Sequence, residues 1–377
     1  LPYWLMSADE FRSLVIGKTE HEATSQHNII YKALTHARMV YQGLVNPAPT
    51  SYHQTPPTDG KMLDEPRPVA GKSEAALAEF DRDKPIPFSL EELINHITYL
   101  QAARVVKGKG SSPDTVDQVS ASDFSSTFKS ILDKIMVLRV DPRIRFMMDN
   151  WTGAAPKLPT IIQQLVGHDT SGQKDVRIID ISGLPNEVAG PLAAMLARLL
   201  FQYKLYQTQE ERRRDPVLLV CEEAHRYVPD RGEAEYAAAQ AAVRRIAREG
   251  RKYGLGLMLV SQRPSDIEST VIAQCGTWLV LRLTNSADQA HVAKFLPDGL
   301  AGMTKALPAL AQQEAIFVGE GAAIPARVRV RDLEKHQLPR SQTVSFAAGW
   351  SGEGLSPDEI GTVAGRMDGT GKEAEPS

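Results

Sequence analysis

At 377 residues the chain is long enough for one large α/β domain with an insertion and a sizeable core. Its 42% hydrophobic and 24% charged content describes an ordinary globular protein, and no apolar run nears the roughly 20 residues that span a bilayer as a helix, so a membrane role has no support. A net charge of -3 argues against a broad basic coat for nucleic acid but allows a ring that grips a strand with a few residues per subunit; with only Cys221 and Cys275, a disulfide scaffold is excluded and the cytoplasm is the default compartment.

The chain opens Leu1-Pro-Tyr-Trp4, with neither an initiator Met nor a signal peptide's charged and apolar regions, and the expectation is that further sequence lies upstream in the parent protein. From Ser7 to Tyr41 apolar residues recur at helical spacing, Leu14, Ile29, Ile30, Ala33, Leu34 and Ala37 among them, with Ser7 and Glu10 set as a capping box; two helices are expected. Residues 46–87, rich in Pro, Thr, Gly and charge, read as a long loop with a short helix near Ser73–Phe80. Helices follow over Ser89–Lys107, Ala121–Val140 and Leu158–Gly167.

Beyond Asp175 short β-branched runs alternate with helices: strand Val176–Ile181, helix Ala189–Gln207, strand Val217–Cys221, helix Ala234–Lys252, then strands Leu255–Ser261 and Trp278–Leu283. Strands alternating with helices imply an α/β fold with a largely parallel sheet. After Ala287–Phe295, Ala315–Val318 and Arg327–Val330 read as edge strands, and from about Gly349 a Gly-, Ser-, Pro- and acid-rich tail frays or docks on a partner. The expected division is a helical region over 1–172, a core over 173–335 and a tail over 336–377.

The apolar run Pro216-Val-Leu-Leu-Val-Cys221 ends directly in two acids, Glu222 and Glu223. Ligands of parallel α/β sheets gather outside the carboxyl ends of strands, so the pair suits a Walker B element, one acid holding a phosphate-bound magnesium and the next orienting water. The plainer reading is a strand that stops where the chain turns polar. The strand Leu255–Ser261 again leads into a polar group, Gln262, either a loop residue or a partner for a γ-phosphate and the water beside it. Between the two strands, Arg244, Arg248 and Arg251 share one helical face by spacing, either a solvated basic face or the source of an arginine finger, with Arg251 the first choice and Arg248 the second.

Leu219-Val-Cys-Glu-Glu-Ala-His225, Arg248-Glu-Gly-Arg-Lys-Tyr-Gly254 and Val260-Ser-Gln-Arg-Pro264, in this order and spacing, resemble HerA-type ATPases of the HerA/FtsK translocase superfamily. The resemblance implies a RecA-like P-loop ATPase core with a helical insertion, using ATP and magnesium. It carries Glu222 to the metal-side acid, Glu223 to the catalytic base, Gln262 to the sensor, and Arg248 or Arg251 to the finger. It further implies a homo-hexameric ring that moves on double-stranded DNA in concert with a nuclease or other effector. The competing expectation is an oligomeric ATPase platform that assembles and regulates a nuclease or NAD-consuming enzyme in anti-phage defence.

The family's phosphate loop, G-x-x-x-x-G-K-[ST], is absent: Gly17-Lys18-Thr19 has Arg12 where the first Gly belongs, and Gly71-Lys72-Ser73 has Pro66 there. Both read as decoys. The histidines, His21, His27, His36, His225 and His291 among them, show no metal-ligand spacing, and His225 is expected to hydrogen-bond behind Glu223. The run Glu210-Glu-Arg-Arg-Arg214 reads as a solvated turn without a site role.

Overall fold

The computed structural model describes residues 1–16, 20–148, 156–169, 172–173, 175–184, 186–230, 237–296, 301–337 and 345–367. The chain divides into two compact units, Leu1–Val328 and Arg329–Ser377.

The first unit begins with α1 (Ala8–Ile16) and α2 (Glu20–Tyr41). The capping box forms as the spacing predicts: the Ser7 N–H donates to Glu10 Oε2 at 2.8 Å and the Glu10 N–H to Ser7 Oγ at 3.2 Å. The short helix in the long loop is α3 (Glu74–Ala78), capped by Ser73. Gly71-Lys72-Ser73 therefore lies in a turn before a single-turn helix and follows no strand, whereas Gly17-Lys18-Thr19 falls outside the described residues.

Next come α4 (Leu90–His96), a π-helical turn over Ile97–Gln101, and the antiparallel pair β1 (Ala103–Val106) and β2 (Thr115–Gln118). The helix expected to reach Lys107 thus ends early, because its last residues pair with a second β-run across the Gly/Ser/Pro turn at 108–113. Helix α5 (Ala121–Phe124) continues through a π-helical turn into α6 (Ser130–Val140), as the Ala121–Val140 period requires. Helices α7 (Arg145–Met148) and α8 (Leu158–Leu165) and the two-residue strands β3 (His168–Asp169) and β4 (Gly172–Gln173) complete the helical region.

The segment Val176–Ile181 is not a strand. Val176 and Ile178 are 75% and 88% exposed, and only Ile181 packs against the cores, so the β-branched run has no partner edge among the described residues. Helices α9 (Asn186–Tyr206) and α10 (Gln209–Arg214) follow. The acid-then-base run at 210–214 is therefore a helix rather than a turn: Thr208 and Glu211 form a capping box, and the charge order complements the helix dipole.

Strand β5 (Val217–Cys221), helix α11 (Ala237–Glu249) and strand β6 (Leu255–Leu259) form the parallel unit of the α/β fold, with Val217 opposite Leu255 and Cys221 opposite Leu259. Leu200 and Phe201 of α9, Val243 and Ile246 of α11, Val217, Leu219 and Cys221 of β5, and Leu255, Leu257 and Leu259 of β6 share one core. The opposite faces of the two strands carry Leu218 and Met258, 59% and 46% exposed. Helix α12 (Ser269–Ile272), strand β7 (Thr277–Val280), helices α13 (Ser286–Ala293) and α14 (Ala301–Thr304), and strands β8 (Glu314–Gly319) and β9 (Ala326–Arg329) follow. β7 pairs antiparallel with β8, and the order β7-β8-β9 makes Ala315–Val318 a central rather than an edge strand. Its buried Ala315, Ile316 and Val318, apolar on both faces, account for that position.

A second core surrounds the N-terminus. Tyr3, Trp4, Leu5 and Met6 are buried with Phe11, Leu34, Leu93 and Ile135. Two cations hold this segment: the fully buried Arg38 donates to the carbonyls of Trp4 (3.2 Å), Met6 (2.5 Å) and Arg82, and Arg198 grips Glu10 bidentately at 2.7 and 2.9 Å while donating to Leu5 O at 2.5 Å. The long loop is tied to the helices behind it. The Ala48 N–H donates to Glu92 Oε1 at 2.6 Å, and the Val69 N–H to Leu44 O at 3.0 Å.

In the second unit the expected tail carries α15 (Phe346–Ser351) and α16 (Pro357–Met367), each capped by a serine. Residues 368–377 lie outside the described residues.

Candidate active site

The site is built where β5 and β6 end side by side. β5 stops at Cys221 because the chain turns over the next two residues: Glu223 adopts φ 47° and ψ 46°, the left-handed region that residues with a Cβ rarely occupy. The turn is fixed by the Ala224 N–H donating to Val260 O at 3.1 Å, the Val260 N–H to Cys221 O at 2.9 Å and the Arg226 N–H to Glu223 O at 2.8 Å. β6 begins after Gly254, whose φ of +72° and approach to the Arg212 carbonyl, 3.1 Å from where a Cβ would stand, favour glycine.

The structure brings Glu223 and Gln262 together: Gln262 Nε2 donates to Glu223 Oε1 at 2.7 Å across the two strand ends. Glu222 is exposed beside them. His225 lies behind Glu223, its Nδ1 3.2 Å from Glu223 Oε2 and 3.1 Å from Ser261 Oγ. Although 3.2 Å is within ion-pair reach, the alignment makes no hydrogen bond, and Glu223 Oε2 is buried without a partner. Beneath them burial pushes the Cys221 thiol up to about 11. Burial, then the neighbouring Cys221 and Glu222, raise the Tyr227 phenol above its ordinary range; its hydroxyl donates to the Glu222 carbonyl.

The three arginines do not share one helical face. Arg244 is paired with Glu268, its Nε 3.1 Å from Oε1; Arg248 is exposed in the last turn of α11; and Arg251 lies past the helix in a 3-10 turn over Gly250–Tyr253. The glycine at 250 ends the α-helical period that the spacing assumed. The Arg251 side chain is 95% exposed, 3.9 Å from the likewise exposed Glu320.

Two residues of this cluster escape a reading of charged pairs alone, Ser261 and Tyr227. Ser261 sits inside the strand-terminal Val-Ser-Gln-Arg-Pro motif beside Gln262, and that adjacency is the signal available in the sequence. Among the described residues no group of three or more His, Cys, Asp or Glu could hold a metal alone. The donor set still fits magnesium beside a nucleotide. Mg²⁺ takes hard oxygens and commonly uses one or two carboxylates with phosphate and water completing its shell, and the exposed Glu222 supplies such a carboxylate.

No family model matches the chain. It is 38% identical over 127 residues to the DNA double-strand break repair helicase HerA of Pyrococcus furiosus, covering 32% of this chain and 21% of that protein. To the helicase of the same name from Sulfurisphaera tokodaii it is 28% identical over 161 residues, 42% of this chain and 32% of that one. The chain thus spans about a fifth to a third of the length of these relatives. Likeness to solved structures is looser. VirB4 of Thermoanaerobacter pseudethanolicus aligns with TM-score 0.44 at 13% identity, covering 87% of this chain and 70% of that one. The genome packaging NTPase B204 of Sulfolobus turreted icosahedral virus 2, in complex with AMP, aligns with TM-score 0.32 at 17% identity, covering 46% and 72%. Over about a third of its length, which includes the motifs at the ends of β5 and β6, the chain is thus similar in sequence to HerA-type ATPases.

Proposed function

We propose that the whole protein hydrolyses ATP to move on double-stranded DNA, and that residues 173–335 form the part of its ATPase core holding the acids and the sensor, flanked by the helical region 1–172 and the tail 336–377. The observation that carries this reading is the 2.7 Å contact between Gln262 and Glu223, which joins two parallel strand ends at the place where α/β sheets bind ligands. Bound there, magnesium supplies charge stabilisation for the departing phosphate. Glu222 holds it, Glu223 orients the attacking water as the base, and Gln262 reaches the γ-phosphate. An arginine from a neighbouring subunit, Arg251 or Arg248, completes each site in a homo-hexameric ring, and the high exposure of Arg251 supports that role. A nuclease or other effector protein works with the ring in the cytoplasm. The names of the relatives, DNA double-strand break repair helicases, support DNA as the track.

The test is turnover by the full-length protein with and without duplex DNA. Wild type hydrolyses ATP faster on DNA. Glu223→Gln still binds ATP and loses turnover by ~10²-fold or more, the range for removing a positioned base. Near-normal hydrolysis by Glu223→Gln rejects the assignment.

A further inference from the structure

Glu223 is held in an unusual way. Its backbone lies in the left-handed region, its Oε1 accepts from Gln262, and its Oε2 is buried without a hydrogen bond. A buried carboxylate oxygen lacking a donor is costly, so the groups around it decide what state the site rests in. His225 Nδ1 stands 3.2 Å from that oxygen and 3.1 Å from Ser261 Oγ, and Ser261 Oγ itself accepts the Arg263 N–H at 3.0 Å. A neutral imidazole carries one proton on one of its two nitrogens. With the proton on Nε2, a lone pair faces the Glu223 carboxylate and Oε2 stays without a donor. With it on Nδ1, the N–H has both the serine oxygen at 3.1 Å and Oε2 at 3.2 Å within reach, and turned to Oε2 it supplies the missing bond.

We propose that His225 and Ser261 are positioning residues for Glu223, the serine hydroxyl steadying an Nδ1-protonated imidazole that holds Glu223 Oε2. The consequence concerns Gln262. Its amide nitrogen carries two N–H groups, and if turning one to a phosphate oxygen swings the side chain away, Glu223 Oε1 loses the hydrogen bond it accepts from Nε2. His225 is then the contact that keeps the carboxylate aimed at water. This rests on reading Glu223 as the water-orienting base.

The first experiment needs no nucleotide. In full-length protein labelled with ¹⁵N at histidine, the His225 signals are those missing from His225→Asn, and their shifts report which nitrogen is protonated. The expected result above the range where histidine titrates is an Nδ1–H tautomer in wild type that reverts to Nε2–H in Glu223→Ala and weakens in Ser261→Ala. A wild-type Nε2–H tautomer, or one indifferent to Glu223→Ala, overturns the proposal. The second experiment is kinetic: His225→Leu lowers kcat by ~10-fold or more with KM for ATP nearly unchanged, and His225→Asn, whose amide N–H can stand in for Nδ1–H, restores most of it. Equal losses in the two variants, or a loss confined to KM, overturn the positioning role. Failure of the base reading is separate, because it appears as normal turnover in Glu223→Gln whichever tautomer His225 adopts.

Discussion

At the scale of single residues, Arg251 allows a clean test of whether a side chain with little role in its own fold acts on a neighbouring subunit. It is 95% exposed and its one ion pair, at 3.9 Å to an exposed Glu320, lies in the range where surface pairs contribute little, so Arg251→Ala leaves folding and ATP binding intact. If the cation acts on a neighbour's nucleotide, Arg251→Ala alone abolishes turnover, because the lost charge stabilises mainly the transition state. Mixing Arg251→Ala with Glu223→Gln subunits then restores part of the activity, since some interfaces regain an intact Glu223 opposite an intact arginine. No recovery in confirmed mixed rings, with Arg251→Ala or with Arg248→Ala, returns both arginines to an ordinary solvated surface. The half-buried Arg198 is the opposite case. Its bidentate grip on Glu10, which is 2% exposed, means that Arg198→Ala strands a carboxylate and lowers stability by about 3–5 kcal/mol in urea unfolding.

At the scale of elements, β5 couples the core to the site through its last residue. Cys221 is buried against the helices and its thiol is pushed up to about 11 by burial, above the ordinary value of 9.0. A folded-state pKa above the unfolded one gives stability that is complete below the ordinary value and is lost as pH rises towards the folded value, because the unfolded chain releases its proton first. Between about pH 9 and 11, wild type therefore loses on the order of 2 kcal/mol that Cys221→Ala does not lose, read as the difference in pH slope of urea midpoints. Strand β5 was legible in sequence because a five-residue apolar run bounded by Pro216 and two acids permits little else. The Ser7–Glu10 capping box, α9 and β6 were legible for the same reason, since their signals are local. The strand expected at Val176–Ile181 failed because a strand depends on a neighbour, and no described residue offers its edge one. The single arginine face failed because Gly250 ended the helix one turn early, and the central place of β8 depends on pairing that no local pattern encodes. At the site, the acids and Gln262 could be read from strand ends. The left-handed turn at Glu223 and the Ser261–His225 contact could not, because both arise when two distant strands end at the same level.

At the scale of the whole molecule, the chain brings Glu223 and Gln262 together at two strand ends and has no phosphate-loop motif in its sequence. A ring of backbone amides and a lysine normally supplies most of the grip on phosphates, so these 377 residues alone bind ATP feebly in a calorimetric titration, and micromolar affinity shows that another loop serves as the cradle. The parallel pair β5–β6 is also covered on one face only, with Leu218 and Met258 open on the other, whereas parallel sheets are normally enclosed on both. The long loop gives the reverse lesson. Although it reads as an excursion in sequence, the amides of Ala48 and Val69 are fastened to Glu92 and Leu44. Deuterium uptake separates the two pictures: these amides exchange on the timescale of helix α4 rather than of a free coil, and Glu92→Gln speeds Ala48 more than Val69, which makes the stretch a strap that opens from one end.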